Sequence, residues 1–452
     1  MSRLLPGLSA TQITRYLGGP ADVNLVFDWT LVTTTGAVTT TVDIGAAEPG
    51  RFFVLQCVWH NTASSGSVTP GTHTLDGEEF ILGQLKSVGS VRNQELTAFI
   101  HKPTGTGNVD LVMQTSSRMY YRLWKVTNAL LRNWQTHDVL TAATTGMNLV
   151  FDTVAGHSML ATIESGQESS NNFNPDIPLT GGTADFTASG TTARAQGSKV
   201  DMVSTGAYSV GGDTTTATKA KTLTALMFEP LNTEDKSKIG VEIVVPCIPV
   251  SENSSFDIEL GPADAGRYFV LLSLGGRGGA GAAVSDMSFT LGGSAFTKNR
   301  TAFNTTNRSS FQLDYIHYPT GTGKATLANT VTGTAGNHQL MVFRVTRAQL
   351  DTVLSTGPTS DTTGLALSRS GLGSGGVGIG AGMVMDDITQ DTLDRNIWDS
   401  TYVLGGYQQV VGSSTNTRAS ATLLRGSSVT VEQKGTATAK TKINKLITFT
   451  PL

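Results

Sequence analysis

Apolar and polar positions alternate along this chain in short runs, each closed by Gly, Asn, Ser or Pro. Leu25 to Thr30, Phe52 to Trp59, Val109 to Met113 and Tyr120 to Val126 are β-branched, aromatic or alternating, and predict strands. Tyr268 to Leu274 reads as one apolar run, and such runs predict strands buried on both faces, as at the centre of a sandwich. Helical periodicity is weak; its best candidates are Ser9 to Leu17, Thr127 to Trp134 and Thr346 to Leu354. Closely spaced strands with short turns predict an all-β chain of tandem β-sandwich, jelly-roll-like modules rather than βαβ units.

The pattern repeats. Gly50-Arg51-Phe52-Phe53-Val54-Leu55 recurs as Gly266-Arg267-Tyr268-Phe269-Val270-Leu271, an offset of 216. Ile100-His101-Lys102-Pro103-Thr104-Gly105-Thr106-Gly107 recurs as Ile316-His317-Tyr318-Pro319-Thr320-Gly321-Thr322-Gly323, again at 216. Lys125-Val126-Thr127 matches Arg344-Val345-Thr346 at 219, and Phe228-Glu229-Pro230-Leu231 matches Phe449-Thr450-Pro451-Leu452 at 221. Self-similarity at a nearly fixed offset predicts an internal duplication. Each copy splits again on weaker signals. Leu149-Val150-Phe151-Asp152 echoes Leu25-Val26-Phe27-Asp28, and Gly156 to Ile163 parallels Gly50 to Leu55. The expected organisation is an arm at 1–22, sandwiches at 23–134, 138–231, 241–354 and 358–452, and a charged linker at 232–240.

Composition sharpens this picture. Charged residues are only 15% of the chain, and the polarity comes from Thr, Ser and 51 Gly, as expected of strands and turns. The net charge is −3, from 32 Lys and Arg against 35 Asp and Glu, with no basic stripe, so no nucleic-acid partner is expected. No apolar run reaches the ~18 residues of a membrane helix, and the N-terminus lacks the apolar core of a secretion signal. Cytoplasmic synthesis without membrane insertion is expected. Cys57 and Cys247 lie in apolar strand-like runs and are expected to be free, buried thiols.

The motifs that carry chemistry fail on their context. Gly276, Gly278, Gly281 and Gly371, Gly373, Gly376 fit GxGxxG, but no helix is predicted after either, so both read as loops. Gly321-Thr322-Gly323-Lys324-Ala325 lacks the first Gly and the final Ser or Thr of a phosphate loop. The two Pro-Thr-Gly-Thr-Gly stretches read as turns. His101 and His317 are equivalent by the repeat and are expected to bond the turn that follows. Glu78-Glu79 and Asp386-Asp387 are adjacent, so on strands they face opposite ways and cannot act as an acid/base pair. No catalytic residue, metal site or cofactor is expected. Trp59 and Trp124 are read as core, whereas Trp29, Trp134 and Trp398 lie near strand ends or loops and are the candidate glycan contacts.

Tandem β-sandwich modules, a duplication, Thr- and Gly-rich composition, almost no Cys and no catalytic constellation together resemble virion structural proteins of tailed bacteriophages. The tail, neck, fibre and head-decoration components are the nearest in character. The resemblance implies a non-enzymatic particle subunit that assembles with itself and with other virion proteins. It implies a homotrimer whose two halves give pseudo-six-fold character. Within that expectation Leu4, Leu5, Leu8, Ile13, Tyr16 and Leu17 make the N-terminal arm the docking segment. A surface or receptor-binding module for a host glycan is the alternative, and a polysaccharide-cleaving enzyme the second alternative.

Overall fold

The computed structural model describes residues 21–32, 36–48, 50–60, 72–82, 86–87, 93–115, 118–143, 147–153, 156–166, 183–189, 193–201, 206–212, 219–231, 238–250, 253–276, 286–302, 309–332, 337–384, 403–411, 417–433 and 440–452. The chain is all-β, and every strand pairing described is antiparallel. It divides into two compact units, residues 1–131 with 140–235, and 132–139 with 236–452.

In the first unit one sandwich has a sheet ordered Asp22–Val32, Arg118–Thr127, Phe52–His60, Asn93–His101, Ile81–Leu82. It faces a second sheet ordered Gly36–Asp43, Asn108–Thr115, Thr74–Leu75, Glu78–Glu79. First strand beside last, and second beside next-to-last, is the jelly-roll order. Val42, Phe53, Leu55, Cys57, Leu96, Leu111, Met113 and Leu123 come from both sheets and share one core. The second sandwich sets the sheet Ala129–Ala143, Lys219–Pro230, Ser158–Gly166, Ala193–Asp201, Thr183–Ser189 beside the pair Met147–Thr153 and Gly206–Gly212.

The second unit follows the same plan. Its third sandwich orders Gly240–Val250, Asn337–Thr346, Tyr268–Gly276, Ser309–His317, Arg300–Ala302 against Ser255–Glu259, Lys324–Thr332, Asp286–Leu291, Ser294–Ala295. Its fourth orders Ala348–Ser355, Lys440–Pro451, Val377–Val384, Thr417–Arg425, Val403–Val411, with the pair Leu365–Ser370 and Ser428–Gln433. The strands Phe52–His60 and Tyr268–Gly276 thus hold the same central place in the first and third sandwiches.

The apolar runs behave as read. Residues 52–57 and 269–274 are buried without exception. In the first run Phe53, Leu55 and Cys57 enter their own sandwich core. Phe52 points the other way, its ring 6.0 Å from Phe228 of the second sandwich. A strand covered on both faces has no polar side to show, so its pattern is continuous.

Two expectations fail. Thr127–Trp134 and Thr346–Leu354 are not helical: the strands Ala129–Ala143 and Ala348–Ser355 begin there. Their backbone groups pair with the last strand of the same sandwich, and short apolar runs carry too little periodicity to separate the two states. The break the sequence hinted at is one residue long. Asn128 and Arg347 take φ of 53° and 55°, turning the chain from one sandwich into the next. The candidate Ser9–Leu17 and the arm residues Leu4, Leu5, Leu8, Ile13, Tyr16 and Leu17 lie outside the described residues.

Candidate functional site

The two motifs repeated at offset 216 converge on one feature in each unit. Arg51 and Arg267 are wholly buried. Arg51 donates from Nε to the Lys102 carbonyl (2.7 Å), from Nη1 to Ile44 (3.0 Å) and Ala46 (2.5 Å), and from Nη2 to Thr104 (2.5 Å) and Gly105 (3.0 Å). Arg267 donates from Nε to Tyr318 (2.6 Å), from Nη1 to Leu260 (3.0 Å), Gly261 (3.3 Å) and Pro262 (2.7 Å), and from Nη2 to Thr320 and Gly321 (3.0 Å). The five donors of a guanidinium form a fixed fork, and here they join two loops at one end of a jelly roll. One is the Pro-Thr-Gly-Thr-Gly turn, whose glycines carry φ of 81° and 74° in the first copy and 83° and 74° in the second. Burial lowers both arginine pKa values from the ordinary range, and carbonyl dipoles stand in for water around each cation.

The neighbouring motif residues join each sandwich to the next. Ala129 N–H donates to the Gly50 carbonyl (3.1 Å), and Ala348 N–H to that of Gly266 (3.1 Å). The carbonyls of Asn128 and Arg347 accept from Leu231 (2.8 Å) and Leu452 (3.1 Å), the ends of the two Pro-Leu motifs. Phe52 stacks on His101 at 4.6 Å, and Tyr268 on His317 at 4.6 Å. Tyr268 also lies 5.3 Å from Phe449, as Phe52 lies against Phe228. His317 Nε2 bonds the Ala265 carbonyl (2.8 Å), in the loop before Arg267 and not in the turn that follows. The repeated residues therefore build a latch and a junction.

The buried polar groups between paired sandwiches differ from unit to unit. In the first, Gln56 accepts from Trp124 Nε1 (2.8 Å) and donates to Thr162 Oγ1. In the second, Asn299, Asp314 and Lys445 cluster instead. Burial raises the Asp314 carboxyl to about 6 and lowers the Lys445 amine to about 8.

His73 is buried in the first sandwich, where its Nδ1 accepts from the Gln114 N–H (3.2 Å). Burial lowers its pKa from 6.5 to about 4. Between these values the unfolded chain binds the proton and the folded one does not, so stability falls as pH drops from 6.5 to 4. Acidification across that window should cost the first unit up to about 3 kcal/mol. Phe289 occupies the counterpart position in the third sandwich. Denaturation of the first unit in the His73→Phe variant should lose most of this pH slope; a slope equal to the parent's would assign it to other groups.

The remaining candidates separate as follows. Trp134 is 2% exposed, which corrects its assignment as a glycan contact: a side chain packed into the protein offers no face to a sugar ring. Trp29 lies in the strand Asp22–Val32 with its side chain outside the described residues, as are all of Trp398 and Asp386-Asp387. Trp124 is core, as read. Cys57 is a free, buried thiol whose pKa burial pushes up; the side chain of Cys247 lies outside the described residues. After Gly376 the chain enters the strand Val377–Val384, so that glycine motif does not lead into the helix that a dinucleotide needs, whereas Gly278, Gly281 and the residues up to 285 lie outside the described residues. Glu78 pairs with Lys102 (2.7 Å), while Glu79 is exposed. Among the described residues no three His, Cys, Asp or Glu stand where they could hold a metal ion.

In the sequence Arg51 and Arg267 stand out only as landmarks of the repeat. The signal available was an arginine kept among apolar strand residues in both copies.

No family model and no curated protein matches the chain. Among solved structures it is similar to dimeric latent PorU from Porphyromonas gingivalis, at 9% identity and a TM-score of 0.20, over 66% of this chain and 33% of that one. The chain thus spans about a third of the PorU chain. It is also similar to the VP2 subviral particle of infectious bursal disease virus, at 8% identity and a TM-score of 0.15, over 96% of this chain and 84% of that one. The T=1 particle derived from that virus follows, at 11% identity and a TM-score of 0.09. Likenesses at these scores carry no argument about fold or role.

Proposed function

We propose that the chain is a non-enzymatic structural component of a tailed-phage particle, acting through subunit interfaces and its N-terminal arm. The observation that supports this reading is where the repeated polar residues go. The arginine, the glycines and the histidines kept in both copies all hold loops and sandwiches together. A binding or catalytic protein repeated twice would keep exposed chemistry in both copies, whereas a building block keeps its joints. On this reading the partners are further copies of the chain, as a homotrimer of pseudo-six-fold character, and other virion proteins, with the arm as the docking segment.

The test is fractionation of a lysate from the producing host on a density gradient. The chain should band with intact particles, and deletion of residues 2–20 should release it to the soluble fractions while the sandwiches stay folded. A full-length chain absent from particles sinks the proposal.

A further inference from the structure

Two side chains, Lys445 and Asn299, meet where the third sandwich packs on the fourth, with the Asp314 carboxyl near enough to act on the amine electrostatically. Lys445 comes from Lys440–Pro451, Asp314 from Ser309–His317, and Asn299 immediately precedes Arg300–Ala302. Lys445 and Asp314 are wholly buried. Lys445 Nζ lies 3.1 Å from Asn299 Oδ1 and 3.2 Å from Ser355 Oγ. Asp314 Oδ1 accepts the Asn299 backbone N–H (2.8 Å), and its Oδ2 accepts from Gln312 Nε2 (3.1 Å). The Phe311 ring stands 5.9 Å from the amine. Asn299 Nδ2 is itself buried and has no hydrogen-bond partner among the described residues.

An amine, a carboxamide and a carboxyl held together away from water are the reactants and the proton carrier of an aminolysis. Held in contact, two groups react as if at very high concentration. Burial works in the same direction on both ionisable groups. With Lys445 lowered to about 8, roughly a tenth of it is the neutral, nucleophilic amine at neutral pH. With Asp314 raised to about 6, the carboxyl can take and return a proton in that range.

We propose that Lys445 and Asn299 become joined by an intramolecular isopeptide bond, with Asp314 carrying the proton, so that the third and fourth sandwiches are covalently linked. The neutral Nζ attacks Asn299 Cγ, and the carbonyl electron pair moves onto Oδ1. Asp314 takes the proton released from Nζ and delivers it to Nδ2. The Cγ–Nδ2 bond then breaks, the carbonyl re-forms and ammonia leaves. Amine and primary amide become secondary amide and ammonia, with no oxidant or other co-reactant, and Asp314 ends as it began. The first unit cannot do this: by the repeat offsets Thr224 stands in place of Lys445 and Ala98 in place of Asp314.

The test is the intact mass of the purified, folded full-length chain, followed by peptide mapping. The mass should fall short of the sequence mass by one ammonia, after any N-terminal processing. Digestion should yield one branched peptide joining the segments around Asn299 and Lys445. Lys445→Arg and Asp314→Ala should each restore the full mass. A folded parent chain of full mass overturns the proposal. So does a loss of ammonia that persists in Lys445→Arg, since that would be cyclisation of the asparagine alone. If the variants do not fold, the branched peptide of the parent decides, by its presence or absence.

Discussion

Replacing Arg267 with Ala is expected to destabilise the second unit by about 4 kcal/mol or more. The magnitude follows from losing several hydrogen bonds to a charged group, each about 1.5–3 kcal/mol, part of which water regains at the exposed loop residues. The six carbonyls that Arg267 now satisfies would be left without their donor, that of Leu260 in the buried interior. That is a large share of the roughly 5–15 kcal/mol by which a domain is stable, so much of the variant should be insoluble or unfolded at 37 °C. Arg267→Lys should recover only a small part, because a single ammonium cannot reach the loop 260–262 and the turn 318–321 together. Arg51→Ala should do the same to the first unit. Urea denaturation of each variant reads the effect, and a loss below about 1 kcal/mol would mean that the network is replaceable by water.

The second large effect is expected at the glycine before each arginine. A Cβ on Gly50 would come within 2.5 Å of the Ala129 carbonyl oxygen and 2.9 Å of its nitrogen, both backbone atoms. Gly50 also has φ of 66°, a region that costs an L side chain about 1 kcal/mol or more. A Cβ on Gly266 would meet the Ala348 nitrogen and, at 2.5 Å, its oxygen. Backbone at a strand start cannot swing aside as a flexible side chain would. Gly50→Ala and Gly266→Ala should therefore push the paired sandwiches apart, at a cost of about 3 kcal/mol, within the range for named backbone clashes. Heat denaturation should show the single transition of the affected unit splitting into two. An unsplit transition at the parent's temperature would show that the junction tolerates the extra carbon.

Much of the architecture was legible in the sequence, for physical reasons that can be named. Residues 52–57 and 269–274 are covered on both faces, so burial wrote itself as unbroken apolar runs at a fixed offset. The glycines of the Pro-Thr-Gly-Thr-Gly turns announced positive φ because few other residues adopt it cheaply. The sandwich junction was harder. Asn128 and Arg347 take φ of 53° and 55° without being glycine, so the left-handed turn left a weaker mark in the sequence there. The echo between Leu25–Asp28 and Leu149–Asp152 misled. Leu25 belongs to the first strand of its sandwich and Leu149 to the second strand of the next, because any two half-buried strands share an apolar pattern. The arginine latch was visible as conserved spacing but not as chemistry. Its partners are backbone carbonyls, which leave no trace in side-chain identity. The Lys445, Asn299 and Asp314 cluster was invisible for a different reason: its members come from strands far apart in sequence, and no counterpart in the first half marks them.

The central claim is that the repeated motifs fasten each pair of sandwiches into one cooperative body. Native-state hydrogen exchange of the full-length chain in low denaturant tests it most directly. Amides of Phe53–Leu55 and of Met159–Ala161 should exchange through one shared opening, with the same free energy and the same denaturant dependence. Those of Phe269–Leu271 and Ile379–Ala381 should behave likewise within the second unit. Exchange of the second or fourth sandwich at markedly lower free energy, while its partner stays closed, would contradict the account.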